Sequence, residues 1–140
     1  MLKKLYLVII ILLMAGGCVN DENEVNNDEF LQEHVIVYFF SDDGCPFCNQ
    51  QKPYLEEFEE KYEAVRIKEI KAWESRETID MFQAVADAYG VEVGGVPMTF
   101  IGEEVWKGFN KNMVGQMESV IEACISDGCQ DKAYDIVFKE

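Results

Sequence analysis

The sequence predicts an α/β fold with three layers, in which helices cover both faces of a central mixed β-sheet. Segments rich in β-branched and aromatic residues alternate with amphipathic segments of helical period, in the order β-α-β-α-β-β-α. Only two residues separate the last two strand segments, which is typical of an antiparallel hairpin and makes the sheet mixed. The chain has 140 residues, of which 49% are hydrophobic, and this suits one domain.

The first predicted strand leads directly into the first predicted helix. Residues 35–40 are apolar on both faces of a strand, which predicts a central strand buried on both sides. Pro46 follows a polar turn and suits the first turn of a helix, where its missing N–H costs nothing. Apolar residues at helical spacing continue to about Tyr62, and Pro53 inside this helix should kink it.

A second strand and a second helix are predicted next. Residues 65–70 alternate apolar and charged side chains, which favours a strand. Residues 75–89 place apolar side chains along one side of a helix, and Gly90 follows where that helix should stop.

The C-terminal part is predicted as a hairpin and a last helix. Residues 98–101 and 104–107 are the two strands of the hairpin. Asn110 is a candidate cap for a helix that should end near Gly128. Residues 130–140 alternate only in part, so they either add an edge strand or pack on the domain.

The N-terminus has the pattern of an export signal. Lys3 and Lys4 precede an unbroken apolar run at residues 5–14, and small residues follow where a signal peptidase would cut. The run is much shorter than the roughly 20 residues that a transmembrane helix needs. We therefore predict a signal peptide over residues 1–17.

Cys18 follows the small residues directly. Residues 15–18, Ala-Gly-Gly-Cys, resemble the lipobox of bacterial lipoproteins, whose cysteine becomes the lipidated first residue of the mature chain. The leucine usual three places before that cysteine is Ala15 here. The resemblance implies an extracytoplasmic protein of the cell envelope, anchored to the membrane through Cys18. The alternative is a secreted or periplasmic protein without an anchor.

Composition separates the rest of the chain into three segments, and its net charge argues against one class of partner. Residues 18–29 are polar, acidic and rich in asparagine, which predicts a flexible tether behind the anchor cysteine. Residues 30–126 carry the predicted domain, and residues 127–140 form a C-terminal tail. The formal net charge of −15 gives a surface that repels phosphate backbones, so we expect no nucleic-acid partner.

Cys45 and Cys48 lie at the predicted junction of the first strand and the first helix. Two cysteines at i and i+3 on one helical turn are close enough to form a disulfide. The thiolate is the reactive species in disulfide exchange, and the N-terminus of a helix stabilises it. Cys45 should be the more exposed and hence the nucleophile, with Cys48 as the resolving cysteine. A structural disulfide or half of a zinc site is the alternative interpretation.

Three sequence motifs carry a resemblance to a known superfamily. Residues 45–48, Cys-Pro-Phe-Cys, resemble the active-site motif of glutaredoxins and of some thioredoxin-like reductases. Pro53 matches the proline that kinks the active-site helix of thioredoxins, and residues 95–100 match the stretch around their cis-proline. The chain therefore resembles the thioredoxin superfamily over residues 30–125, which implies the thioredoxin-like three-layer fold.

The resemblance also implies an activity and a binding surface. In this superfamily the cis-proline lies against the two cysteines, and the residue before it offers backbone hydrogen bonds to a substrate strand. We therefore expect a cis bond between Val96 and Pro97, and we expect these two residues, Pro46 and Phe47 to contact the substrate. The implied activity is dithiol-disulfide exchange on cysteine-containing exported proteins. We expect a monomer that needs no cofactor or metal and that works with a membrane or soluble redox partner.

Three departures from the superfamily concern the direction of electron flow. Thioredoxins have a buried aspartate before the motif that helps to deprotonate the inner cysteine, and the matching place here is Tyr38 or Phe39. Strong oxidants have a histidine between the cysteines, where this chain has Phe47. Asp42 and Asp43 should oppose a thiolate beside them. These features favour a reductase or isomerase, with a disulfide-forming oxidase partner as the alternative.

Cys124 and Cys129 form a second close pair, near the end of the last helix. In an exported protein, paired cysteines are typical of disulfide chemistry, and we expect a structural disulfide that staples the helix end. An auxiliary redox pair, free thiols and metal binding are the alternatives. Both pairs together would give a four-thiolate zinc site, as in a metallochaperone. A non-catalytic thioredoxin-like adhesion or scaffold module is a third class.

Overall fold

The computed structural model describes residues 33–139. In chain order the elements are β1 (Val35–Ser41), α1 (Pro46–Lys61), β2 (Val65–Lys71), α2 (Arg76–Ala88), β3 (Met98–Ile101), β4 (Glu104–Lys107), α3 (Asn112–Asp127) and α4 (Tyr134–Phe138). The predicted signal peptide, Cys18, the tether and the first residues of the predicted domain lie outside the described residues.

The four strands form one mixed sheet in the order β2-β1-β3-β4. β1 pairs with β2 in parallel, from Val35 opposite Val65 to Ser41 opposite Lys71. β3 is antiparallel to both β1 and β4. The α/β class and the mixed thioredoxin-like sheet are therefore confirmed. This topology brings the ends of β1 and β2 and the start of β3 to the same edge of the sheet.

β1 is buried on both faces because helices cover both sides of the sheet. Val37 and Phe39 belong to an apolar cluster with side chains of α1 and α3. The alternate residues of β1 belong to a second cluster with side chains of α2 and of the C-terminal tail; they are Ile36, Tyr38 and Phe40. Both cysteines of the first pair lie in the first cluster, which we call the active-site cluster.

Local capping fixes where the helices begin and end. Ser75 is the cap of α2, because its hydroxyl accepts the Thr78 N–H at 3.1 Å while the Thr78 hydroxyl accepts the Ser75 N–H at 3.0 Å. The cap residue of α3 is Lys111, which makes no side-chain cap hydrogen bond, so the predicted cap is wrong by one position. Asn110 lies one residue earlier, and its side-chain oxygen accepts the N–H of Asn112 at 3.0 Å. Gly128 ends α3 with a positive φ of 77°, which a glycine adopts readily.

The C-terminal tail packs on the domain as a short helix and not as an edge strand. Ala133 and Tyr134 are buried in or beside the second cluster. One carboxylate oxygen of Asp131 accepts the backbone N–H groups of both residues at 2.9 Å, and the other accepts the Tyr38 hydroxyl at 2.7 Å. Asp131 therefore ties the tail to the central strand. Within residues 33–139, no helix is long and apolar enough to cross a bilayer.

Candidate active site

Cys45 lies at the junction where β1 ends and α1 begins. It is the cap of α1, with an extended backbone, and its sulfur accepts the N–H of Cys48 at 3.1 Å. Its carbonyl accepts the N–H of Asn49 at 3.2 Å, which starts the helical hydrogen bonding. The first turn of α1 contains Pro46 and no acidic residue. The positive end of the helix therefore acts on the Cys45 sulfur without an opposing carboxylate inside that turn.

Cys45 and Cys48 are joined by a disulfide, with Cα atoms 5.2 Å apart. Cys45 retains 8% exposure and Cys48 retains 3%, so the approach of another sulfur from solvent favours Cys45. Phe47 between them is 54% exposed. The order of exposure agrees with the predicted order of the two cysteines in the reaction.

The bond between Val96 and Pro97 is cis, as the resemblance implied. Pro97 is buried directly before β3, and its carbonyl accepts the N–H of Gly108 at 2.8 Å. Val96 is half-buried and packs against the active-site cluster, which contains both cysteines. Across residues 33–139, no backbone-to-backbone hydrogen bond engages Val96. Its N–H and C=O are therefore available to an extended chain at the edge where the disulfide lies.

The place where thioredoxins have a buried aspartate is occupied by Phe39. The sequence left Tyr38 and Phe39 as candidates, and only Phe39 lies in the cluster that contains the cysteines. Tyr38 lies on the other face of the sheet, where burial and the adjacent Asp131 carboxylate raise its pKa. No carboxylate of β1 therefore faces Cys48.

The charge of Asp43 is partly neutralised. Its carboxylate lies 2.9 Å from the ammonium of Lys71, and hydrogen bonds to Asp43 and Glu69 raise the pKa of Lys71. Burial raises the pKa of Glu69, but hydrogen bonds from Lys52, Ser41 and Lys71 outweigh this effect and lower it to about 2. The expected opposition of Asp43 to a Cys45 thiolate is thus weaker than the sequence alone implied.

Cys124 and Cys129 are also joined by a disulfide, with Cα atoms 4.8 Å apart. Their sulfurs pack against Gly102 in the turn between β3 and β4. They border a groove of about 300 Å³ that also includes His34, the only histidine of the chain. This disulfide therefore lies at the edge of the sheet where β1 starts.

The fold separates the two cysteine pairs. Seven strand residues lie between the start of β1 and the edge at Cys45, which corresponds to roughly 20 Å. The four sulfurs therefore do not form one four-thiolate site, and at this separation the two pairs of one molecule are not within exchange distance of each other. In the part of the chain that the structure describes, no cluster of three or more His, Cys, Asp or Glu side chains could hold a metal ion.

Sequence reasoning missed two polar residues inside the active-site region. Gln51 and Thr99 are both fully buried, and the Gln51 side-chain N–H donates to the Thr99 hydroxyl at 2.6 Å. Gln51 lies on the apolar face of α1 that also carries Leu55 and Phe58. A glutamine at i+3 from Cys48, in line with an apolar stripe, was the signal that could have identified it.

The arrangement of β1, α1 and the cis-proline defines a domain of the thioredoxin fold with a dithiol-disulfide pair. The family model for glutaredoxin matches residues 35–106, just over half of the chain, and the chain belongs to the glutaredoxin family. Membership together with the Cys45–Cys48 pair indicates thiol-disulfide exchange chemistry. A comparison with curated proteins found no match.

Proposed function

We propose that this chain is a thiol-disulfide oxidoreductase that reduces or isomerises the disulfides of exported proteins. One observation carries the proposal: the Cys45 sulfur caps α1 and accepts the N–H of Cys48 at 3.1 Å. When the disulfide opens, a sulfur at this position is stabilised as a thiolate, which is the species that attacks another disulfide. Family membership supports the same chemistry.

The proposed cycle consists of two exchange steps. The Cys45 thiolate attacks one sulfur of a substrate disulfide, forms a mixed disulfide and releases the other substrate sulfur as a thiolate, which takes up a proton. Cys48 then loses its proton and attacks the Cys45 sulfur. The Cys45–Cys48 bond forms as the bond to the substrate breaks, so two electrons pass to the substrate. In isomerisation, a substrate thiol resolves the mixed disulfide instead of Cys48.

The surface around the disulfide supports a polypeptide substrate. Phe47 and Trp73 are 54% and 44% exposed, and Trp73 follows β2 at the same edge of the sheet as the disulfide. Exposed aromatic side chains suit contact with the apolar residues of an incompletely folded protein. The backbone of Val96, which makes no backbone-to-backbone hydrogen bond within residues 33–139, offers a donor and an acceptor to an extended segment of the same substrate.

The proposed direction of electron flow depends on the groups beside the pair. Phe39 faces the cysteines where a carboxylate would assist deprotonation of Cys48, and Asp43 is paired with Lys71. Neither Phe39 nor Asp43 stabilises a cysteine thiolate, so neither residue shifts the equilibrium from the disulfide toward the reduced pair. We expect a reduction potential nearer roughly −200 mV than the roughly −120 mV of a strong oxidant. A membrane or soluble redox partner would return two electrons after each cycle of reduction.

We also propose that the protein works outside the cytoplasm as a monomer anchored through Cys18. The support comes from the sequence of residues 1–18, with its charged start, apolar run, small residues and cysteine. The acidic tether that follows would let the domain reach substrates near the membrane. Partition of the wild-type protein with membranes, and its release on Cys18→Ser, would support the anchor. A soluble wild-type protein would leave plain secretion or a periplasmic location.

Catalysed reduction of insulin by dithiothreitol tests the proposed activity. We expect Cys45→Ser to abolish the acceleration, because it removes the attacking sulfur. We expect Cys48→Ser to reduce it, because only dithiothreitol can then resolve the mixed disulfide between Cys45 and insulin. The double variant Cys124→Ala/Cys129→Ala is the matched control, because it removes two cysteines at the far edge of the sheet and should keep the wild-type rate. Full acceleration by Cys45→Ser would contradict the proposal.

A further inference from the structure

The side chain of Gln51 is an unusual feature of the active-site helix. It is fully buried at 0% exposure, one helical turn after Cys48 and on the same face as Leu55 and Phe58. Glutamine is rarely buried completely unless its amide is hydrogen-bonded, because removing the amide from water without partners is unfavourable. The role of Gln51 therefore depends on the hydrogen-bond partners of its side-chain nitrogen and oxygen.

Only one of the two amide atoms of Gln51 is satisfied. The side-chain Nε2 donates to the Thr99 hydroxyl at 2.6 Å and lies 3.7 Å from the sulfur of Met117. A thioether can only accept a hydrogen bond, so these neighbours fix which end of the amide is the nitrogen. The carbonyl oxygen Oε1 has no hydrogen-bond partner within residues 33–139. A buried acceptor without a donor requires an explanation.

The helix geometry places Gln51 on the same face of α1 as Cys48, one turn later. Residues at i and i+3 lie on one face of a helix with Cβ atoms about 5–6 Å apart. Helical side chains also lean toward the N-terminus, which from Gln51 is the direction of Cys48. Thr99, which holds the amide, is the strand partner of Phe39, and Phe39 packs in the same cluster as both cysteines.

The oxidation state of Cys48 decides whether its sulfur can donate a hydrogen bond. In the disulfide the Cys48 sulfur carries no hydrogen and cannot donate. Its position is buried, with 3% exposure in the disulfide-bonded structure. In the reduced protein it carries a thiol, which is a hydrogen-bond donor, although a weak one.

We propose that Gln51 is a positioning residue whose Oε1 accepts a hydrogen bond from the Cys48 thiol and so stabilises the reduced form of the pair. The inference deepens the proposed function and rests on it. A donor dithiol becomes a disulfide and so releases two electrons and two protons. The Cys45–Cys48 bond breaks, Cys48 takes up one proton, and the second proton goes to Cys45 or to solvent, in which case Cys45 remains a thiolate. The amide of Gln51 neither gains nor loses a proton in this step.

The consequence is a measurable effect on the redox equilibrium. The oxidised form carries an unsatisfied buried oxygen and the reduced form does not, so Gln51 makes the pair more oxidising than it would otherwise be. Gln51→Met keeps the length and approximate shape of the side chain but removes the acceptor. We expect it to favour the disulfide by roughly tenfold, which lowers the reduction potential by about 30 mV for a two-electron couple.

The experiment is a glutathione redox titration of the Cys45–Cys48 pair in the Cys124→Ala/Cys129→Ala background, with and without Gln51→Met. The matched control is Gln50→Met, the same substitution at the exposed preceding residue of α1, which leaves the buried amide of Gln51 untouched and should leave the potential unchanged. A lower potential for Gln51→Met alone supports the inference. An unchanged or higher potential, or an equal shift in the control, overturns it.

A second measurement separates this inference from the proposed function. The stability of each variant is measured by urea denaturation, once oxidised and once after complete reduction with a phosphine. Gln51→Met should favour the oxidised protein over the reduced one by the same roughly tenfold factor, and equal effects on both forms would overturn the inference. A wild-type pair that does not equilibrate with glutathione or substrate dithiols would contradict the proposed function, whereas this comparison would still decide the role of Gln51.

Discussion

Gly102 is the position where a small substitution should test the packing of the second disulfide most sharply. It occupies the first place of the two-residue turn between β3 and β4, with a φ of 57°. A Cβ atom at this residue would lie 2.9 Å from the Cys124 sulfur and 3.0 Å from the Cys129 sulfur. Those sulfurs are bonded to each other, so neither can rotate away independently as the end of a free side chain would.

The cost of Gly102→Ala has two parts that can be separated. The left-handed backbone costs a residue with a Cβ atom about 1–2 kcal/mol, and forcing an extra methyl group into a packed site costs about 1–3 kcal/mol more. Gly90 supplies the matched control, because its φ is 68° and no atom lies within 4 Å of a Cβ placed there. Gly90→Ala should therefore lower the free energy of unfolding only by the amount that the left-handed backbone costs.

Urea denaturation of the oxidised protein measures both variants. We expect Gly102→Ala to lower the free energy of unfolding by about 1–3 kcal/mol more than Gly90→Ala does. In the Cys124→Ala/Cys129→Ala background the two sulfurs are gone and only the Cβ atom of residue 129, at 3.3 Å, still crowds the added methyl group, so the excess cost of Gly102→Ala should become smaller. Equal costs in the wild-type background, or an excess cost that is undiminished without the sulfurs, would refute the described packing of this disulfide.

Two further predictions concern stability. The double variant Cys124→Ala/Cys129→Ala should lower the free energy of unfolding by about 2 kcal/mol, because the disulfide closes a loop of only a few residues, and a loss near zero would contradict a stapling role. Glu69 has its pKa lowered to about 2 from the usual 4.5, so its ion pairs stabilise the folded state fully above about pH 4.5 and are lost as the pH falls toward 2. Glu69→Gln should remove this part of the pH dependence of stability. The change in the free energy of unfolding should be only about 1 kcal/mol, because Lys52, the ion-pair partner of Glu69, is solvent-exposed. An unchanged acid-unfolding curve would contradict this pairing.

The sequence contained enough information for the fold because its signals are local and agree with one another. The apolar run of β1 required burial on both sides, which only a central strand between two helical layers provides. The two-residue separation of β3 and β4 determined an antiparallel pair. The cap of α2 at Ser75 and the stop at Gly90 follow from side-chain and backbone chemistry within a few residues.

Other features of the site depend on tertiary contacts that no local pattern contains. Tyr38 and Phe39 are both fully buried, so polarity could not show which of them faces the cysteines, and the helix arrangement decides it. The tail forms a helix of only five residues, which is too short to be stable alone and depends on the hydrogen bond between Asp131 and Tyr38. Gln51 was overlooked because a polar residue normally lies outside a helical apolar stripe.

The central claim is that Cys45 attacks and Cys48 resolves disulfides of exported proteins, and trapping tests it most directly. Cells that export the Cys48→Ser variant are quenched with acid, alkylated and analysed on gels without reductant, followed by mass spectrometry of the covalent complexes. The account predicts disulfide-linked complexes between Cys45 and exported proteins that dithiothreitol releases and that Cys45→Ser/Cys48→Ser does not form. An absence of complexes dependent on Cys45, or equal complexes with the double variant, would contradict it.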